Sequence, residues 1–427
     1  MAALGSPFVI IFISSNIVNV GNLAFNLLFS RWMGPVVFGD MAVTLTLMLA
    51  VMGILTSIQM AVSQKVAEAP DDTRSALLGS LAKMNRLAIA ASAVVFPLVL
   101  ALIYLGRPGE ALGMAEPQAL AILALAIPFV APLSLVRGVI NGQIDVLRIV
   151  LSAQGEMFVR LILAIAAWQL GLGLSGVVWA LVLSIIAGWV AMGRVLPSLS
   201  TLLPKLEPQE RAFAGKLFVI ALPFALLQAS QVILLDGDVF LAKLLLSETE
   251  AGLVAALSLV QRIQFFACFA LASILLPSVA RAVAEGGSGL REAAPVAALF
   301  LAVAVPFILG AAFLPELMLN ILFGSGYLDA KPALLPTAFA ACAFTFAYLV
   351  ATFMAGRNAR LGIWMICAMA LAQPVIILIG AQIFNAFDLA SLLWIKLACL
   401  TVLSLGVAGV AITTLHKARL ASGNGAF

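Results

Sequence analysis

The chain has 427 residues, of which 64% are hydrophobic and 10% charged, and its formal net charge is +4; the mean hydropathy is +1.17. A soluble domain is about 45 to 50% apolar and about 25% charged, so this composition excludes a water-soluble globular protein and points to an integral membrane protein. The basic balance does not call for a nucleic-acid partner, because an uneven distribution of Lys and Arg across a membrane accounts for it.

A bilayer core roughly 30 Å thick requires about 20 apolar residues per helix. Runs of that length fall, in chain order, at approximately 7–29, 36–60, 87–106, 119–140, 151–170, 173–196, 215–235, 251–277, 293–314, 333–354, 361–384 and 389–414. These predict twelve transmembrane helices. The runs do not alternate in polarity, as strands of a membrane barrel would. The first run lacks a basic leader and a small-residue cleavage site, and is read as an uncleaved span.

With the N-terminus in the cytoplasm, 16 Lys and Arg residues, from Lys65 and Arg74 to Lys417 and Arg419, fall at inner ends, against four at outer ends, Arg31, Arg107, Lys243 and Lys331. This positive-inside bias predicts that both termini are cytoplasmic. Cys268, Cys342, Cys367 and Cys399 each stand alone in an apolar run. They lack the paired spacing of a metal site or a disulfide framework, and neither a metal nor a cofactor is expected. The lone His416 is read as a solvated tail residue.

The longest polar connection, VLPSLSTLLPKLEPQERAFAGK, separates two sets of six spans. The predicted domains are an N-terminal bundle over 1–197, a cytoplasmic linker over 198–214 and a C-terminal bundle over 215–427. The outer hairpins SRWMGPVVFGDMAVTL and LLSETEAGLVAALSL align with Gly39 on Gly252 and Ala42 on Ala255. An even number of spans per half makes this a parallel repeat, a plan in which two bundles face a central cavity.

Polar residues inside the spans mark candidate binding surfaces, because unpaired amides and charges are costly in hydrocarbon. In the first span Asn16, Asn19, Asn22 and Asn26 share one helix face; in the seventh, Gln228, Gln231 and Asp238 do the same, with Asp236 beside them. Arg262 lies about ten residues past Gly252, roughly 15 Å deep, flanked by Gln261 and Gln264. Such a cation should face water, a carboxylate or an anionic ligand. Glu156 and Arg160 are four apart and suited to pair on one helix face. Lys396 is expected to snorkel outward or to reach Asp388. No P-loop, zinc-protease motif or nucleophile elbow is present, so an enzyme and direct coupling to ATP are not expected.

RWMGPVVFGDMAVTLTLML (Arg31 to Leu49) resembles the G-P-x-x-[FY]-G-x-x-[AS] segment of polysaccharide-type (Wzx-like) flippases in the multidrug/oligosaccharidyl-lipid/polysaccharide exporter superfamily. LDGDVFLAKLLLSETEAGLVAALSLVQRI resembles their seventh-to-eighth span hairpin, departing at Leu253, and LMLNILFGSGYLDAKPALLPTAFA the segment before their tenth span. The resemblance implies a bacterial inner-membrane transporter that moves a polyprenyl-pyrophosphate-linked oligosaccharide to the outer leaflet by alternating access. Arg262 would then neutralise the pyrophosphate, while the Asn and Gln stripes and Lys396 bind the glycan. Asp236, Asp238, Glu156 and Arg160 would serve coupling or gating. Implied partners are the lipid-linked glycan, membrane lipids, and a polysaccharide polymerase or glycosyltransferases. Two alternatives stand beside this reading. One is a multidrug cation antiporter of the same superfamily, which should carry buried carboxylates; the other is a non-transporting scaffold of an envelope-polysaccharide synthesis complex.

Overall fold

The computed structural model describes residues 7–198, 201, 203–384 and 386–423. The side chains of Lys417 and Arg419 and both chain ends, counted above at the basic side, lie outside the described residues. Among the described residues the regular structure is entirely helical. In chain order the helices are α1 (Pro7–Glu68), α2 (Asp71–Gly106), α3 (Pro108–Ala111), α4 (Gln118–Ala124), α5 (Ile127–Gly142), α6 (Val146–Gln169), α7 (Gly173–Ala191), α8 (Pro208–Asp236), α9 (Asp238–Leu245), α10 (Glu248–Ala284), α11 (Leu290–Phe313), α12 (Pro315–Leu322), α13 (Lys331–Gly356), α14 (Leu361–Ile383) and α15 (Leu389–Gly423), with a 3-10 turn at Ser325–Ala330.

Eleven helical segments among the described residues are long and apolar enough to cross a membrane. The first of them contains two crossings. α1 has 62 residues, about 93 Å at 1.5 Å per residue, roughly three times a bilayer core. It is broken at Gly34, whose φ of 68° is left-handed, followed at once by Pro35, whose missing N–H suits the first position of a new helix. The total is therefore twelve crossings, as the apolar runs predict. Several helices begin earlier than those runs: α2 at Asp71 rather than 87, and α8 at Pro208 rather than 215. The added turns are amphipathic and charged, so hydropathy does not register them.

The chain divides into two compact units. Unit 1 takes in the residues up to Leu28 and Asp40–Ala229; unit 2 takes in Phe29–Gly39 and the residues from Ser230 onward. The boundary thus runs through α8 and not through the polar connection before it. In unit 1, α6 packs along α7 and α2 along α5. Leu217 and Ala221 of α8 join Val62, Leu81 and Val139 in one buried cluster. Outside that cluster, Asp40 is fully buried and its Oδ2 accepts the Ala115 N–H at 2.9 Å, fastening the loop before α4.

In unit 2, α13 packs between α10 and α15. Phe265 and Phe269 of α10 and Phe344 and Tyr348 of α13 form an aromatic cluster in that layer, with ring centroids 5.3 to 6.2 Å apart. The segment Phe29–Gly39 is held in this unit by backbone proximity. A Cβ on Gly252 would run into the Pro35 carbonyl, and one on Gly39 would sit 3.2 Å from Gly252 Cα, so the two glycines aligned by the repeat touch each other. The Tyr327 hydroxyl donates to the Ser30 carbonyl at 2.8 Å, and the Arg31 guanidinium donates to the carbonyls of Asn320, at 3.4 Å, and Ile321.

Candidate functional site

Unit 1 carries a cluster of three charges. One turn of α6 places Arg160 above Glu156, as the spacing predicts, and Arg160 donates to Glu156 Oε1 at 2.5 Å. The pair is not self-contained, however. Arg137 of α5 donates to the other carboxylate oxygen at 2.7 Å and to Ser152 Oγ at 3.0 Å. Two guanidiniums therefore flank one carboxylate, leaving a surplus positive charge. The side chains of Arg137, Glu156 and Arg160 are only 17%, 10% and 11% exposed, respectively. Gly188 of α7 makes room for them: a Cβ there would lie 3.1 Å from the Arg137 guanidinium and 3.2 Å from Glu156 Cβ. Arg160 also donates to Asn22 Oδ1 at 2.9 Å, which joins one member of the asparagine stripe to the charges. Asn26 turns back to donate to the Asn22 carbonyl at 2.8 Å. Asn16 and Asn19 lie on exposed surface of α1, and Gln228 of α8 is half-buried in the same unit.

Unit 2 contains a group of four charges in two matched pairs, and Lys243 of α9 is buried in the same unit. Arg262 sits 14 residues into α10, about 21 Å from its start, with its Nε 2.9 Å from Asp236 Oδ1. Of the three environments the sequence allowed for this arginine, the structure supplies the carboxylate. Lys396 departs from expectation. It neither snorkels nor reaches Asp388; it is completely enclosed and its ammonium donates to Asp238 Oδ2 at 2.7 Å and to the Leu235 carbonyl at 2.9 Å. Asp388 instead caps α15, accepting the Ser391 N–H at 2.8 Å. The reason lies at the one-residue interruption between the end of α8 at Asp236 and the start of α9 at Asp238, where Gly237 keeps helical dihedrals. Gln228, Gln231 and Asp238 therefore do not lie on one helix. The turn offers Lys396 both a carboxylate and a terminal carbonyl. Ser258 donates to Asp238 Oδ1 at 3.2 Å, and Thr345 to Gln264 Oε1 at 2.7 Å. Gln261, flanking Arg262, is completely buried and its amide has no hydrogen-bond partner among the described residues.

Sequence reasoning thus placed Glu156, Arg160, Arg262 and Lys396 inside their spans but set Asp238 on the seventh span, whereas it opens α9; it also missed Arg137, read only as an inner-end charge, and Gln373 of α14, whose amide donates to the Leu234 carbonyl at 3.5 Å. A glutamine inside an otherwise apolar run, directly before Pro374, is a signal that would have found the latter.

No protein-family model matches the sequence, and no curated protein matches it. Solved structures do match in shape. A multidrug resistance MATE family transporter of the MOP superfamily, in an inward-facing conformation, superposes with a TM-score of 0.75 at 13% identity, covering 94% of this chain and 95% of that one. The lipid II flippase MurJ, in an inward closed conformation, gives a TM-score of 0.71 at 12% identity over 96% of this chain and 90% of that one. The eukaryotic MATE transporter AtDTX14 gives 0.66 at 16% identity over 97% and 96%. Together with the twelve crossings, these likenesses show that the chain is a multi-pass membrane protein with the fold shared by the MATE transporters and MurJ.

Proposed function

We propose that the protein is a flippase for a polyprenyl-pyrophosphate-linked oligosaccharide in the bacterial cytoplasmic membrane. Its two related halves would present the substrate first to the cytoplasmic and then to the outer leaflet, with both chain ends cytoplasmic. The observation that supports this reading is the charge balance of the buried clusters. Glu156, Asp236 and Asp238 each lie in an ion pair with a basic side chain, and Glu156 has two such partners. A cationic substrate would find each of these carboxylates already neutralised. An anionic head group would find the surplus guanidinium charge of Arg137 and Arg160, where a charge-assisted contact in a water-poor site is strong. Asn16, Asn19, Asn22 and Gln228 supply amides for hydroxyl groups in the same unit. Arg262, Gln261, Gln264, Gln231 and Lys396 would contribute once Asp236 and Asp238 release their partners in the transport cycle, which gives those two carboxylates a gating role.

The second reading, a multidrug cation antiporter, is favoured by the likeness to MATE transporters. The two separate in one experiment: outer-leaflet glycan per molecule of folded protein, measured beside survival in cationic dyes. Glycan transfer that Arg160→Gln abolishes supports the flippase. Dye resistance that Asp238→Asn abolishes, without any glycan transfer, assigns the protein to the antiporters.

A further inference from the structure

Apart from the charge clusters, unit 1 contains a cavity of about 670 Å³ bordered by α2, α5, the end of α7 and the chain that follows it. This is within the range of small-molecule sites, roughly 300 to 1,000 Å³. Its lining is divided. Ile89, Val136 and Trp189 make an apolar wall, while Arg86, Arg194 and Asn85 supply polar groups, and among the described residues no acidic one lines it. Arg194 is exposed. The Asn85 side-chain oxygen is buried without a hydrogen-bond partner among the described residues. In the wall after α7, Val195 and Leu196 pack on the core cluster around Val62 and Leu81.

The level of the cavity along the helices is informative. From Arg86 to the end of α2 at Gly106 is 20 residues, about 30 Å, which equals the hydrocarbon thickness. Arg86 therefore sits where apolar chains give way to head groups, and Trp189 and Arg194 sit at the same boundary at the end of α7. We infer that this cavity binds the phosphate of a membrane lipid, with Arg86 and Arg194 donating to the phosphate oxygens and the lipid chain lying against Ile89, Val136 and Trp189. Guanidiniums suit phosphate because their planar forks donate two hydrogen bonds at once. The inference stands independently of the flippase reading.

Native mass spectrometry of the purified full-length protein, titrated with phosphatidylglycerol, phosphatidylcholine or a polyprenyl monophosphate, tests it. The wild type is expected to retain one anionic lipid at least tenfold more tightly than the Arg86→Gln/Arg194→Gln variant, and to show no such difference with phosphatidylcholine. Ala90→Trp, which leaves both arginines in place and fills the cavity, should lose the same lipid and carries the test if the double variant does not fold. Tighter retention of phosphatidylglycerol assigns the site to a bilayer lipid, and tighter retention of polyprenyl phosphate assigns it to a substrate-like lipid. Retention unchanged in both variants overturns the proposal, as does complete displacement of the lipid by millimolar inorganic phosphate.

Discussion

The two units handle buried charge differently. In unit 2 every member of the Asp236, Asp238, Arg262 and Lys396 group has one opposite partner, and the Lys396–Asp238 pair is entirely enclosed. In unit 1 the Arg137, Glu156 and Arg160 group is unmatched, two cations to one anion, and part of each side chain reaches the surface. A matched, enclosed pair has little attraction left for an outside ion and resists separation, because each partner alone would be a buried charge. An unmatched group at a surface keeps an electric field directed outward. On the flippase reading proposed above, this contrast would suit unit 2 to holding and gating and unit 1 to attracting an anion.

The sharpest way to break the comparison is Lys396→Met. It strands Asp238 in an enclosed site and should cost about 3 to 5 kcal/mol, seen as a large fall in melting temperature; adding Asp238→Leu should restore most of it. If the single variant is as stable as the wild type, the pair is not the enclosed one described. Arg262→Ala strands Asp236 at a slightly more open position and should cost about 2 to 4 kcal/mol. Arg262→Lys should recover part of that, since charge survives while the fork geometry does not. Should Arg262→Ala leave outer-leaflet glycan per folded molecule normal, this arginine has no part in the substrate site.

Glu156→Gln leaves Arg137 and Arg160 facing a neutral amide, and about 2 kcal/mol is expected in thermal unfolding, less than in unit 2 because water reaches the group. Glu116, outside the spans, gives a smaller and pH-dependent effect. Burial works against its charge, but hydrogen bonds from Ser175 and Leu174, both N–H groups at 2.8 Å, outweigh burial and hold the carboxyl below its ordinary 4.5. A depressed carboxyl stabilises the fold above its unfolded value and loses that contribution as pH falls through the folded one. The melting temperature should therefore drop below pH 4.5 in the wild type, and less so in Glu116→Gln. That variant should itself lose about 1 kcal/mol of capping at the start of α7 near neutral pH. A small effect on stability is expected from Arg160→Gln, which loses the bonds to Glu156 and Asn22 but leaves a one-to-one Arg137–Glu156 pair and should cost on the order of 1 kcal/mol while failing to move glycan. Normal transfer by Arg160→Gln would remove the surplus charge from the mechanism.

How much of this the sequence disclosed depends on the range of the interaction. The twelve crossings are legible because burial in lipid demands long apolar runs, a property of neighbours in the chain. The Glu156–Arg160 pair is legible because four residues make one helical turn. Arg137 was not, since it meets Glu156 through packing of α5 on α6, with Gly188 making the space, and nothing in the spacing encodes that. Lys396 is the extreme case: its partner lies 158 residues earlier, and no spacing rule along the chain links the two. The asparagine stripe was legible as a pattern, but not that Asn22 joins the charges, which depends on the level of α1 that Arg160 reaches.

The placement of Phe29–Gly39 within unit 2 has a consequence for the order of events during synthesis. Ser30 is translated 297 residues before Tyr327, the side chain that bonds to it. At about 5 to 20 residues per second, that interval is roughly 15 to 60 s. Throughout it the hairpin around Gly34 must rest in the membrane without its native neighbours, while Arg31 waits for the carbonyls of Asn320 and Ile321. Unit 1, which ends at Ala229, is fully translated before Tyr327 is made, so a late assembly step recruits one of the earliest segments of the chain. A ribosome stalled before Tyr327 should therefore leave this hairpin open to proteases that no longer cut it in the finished protein.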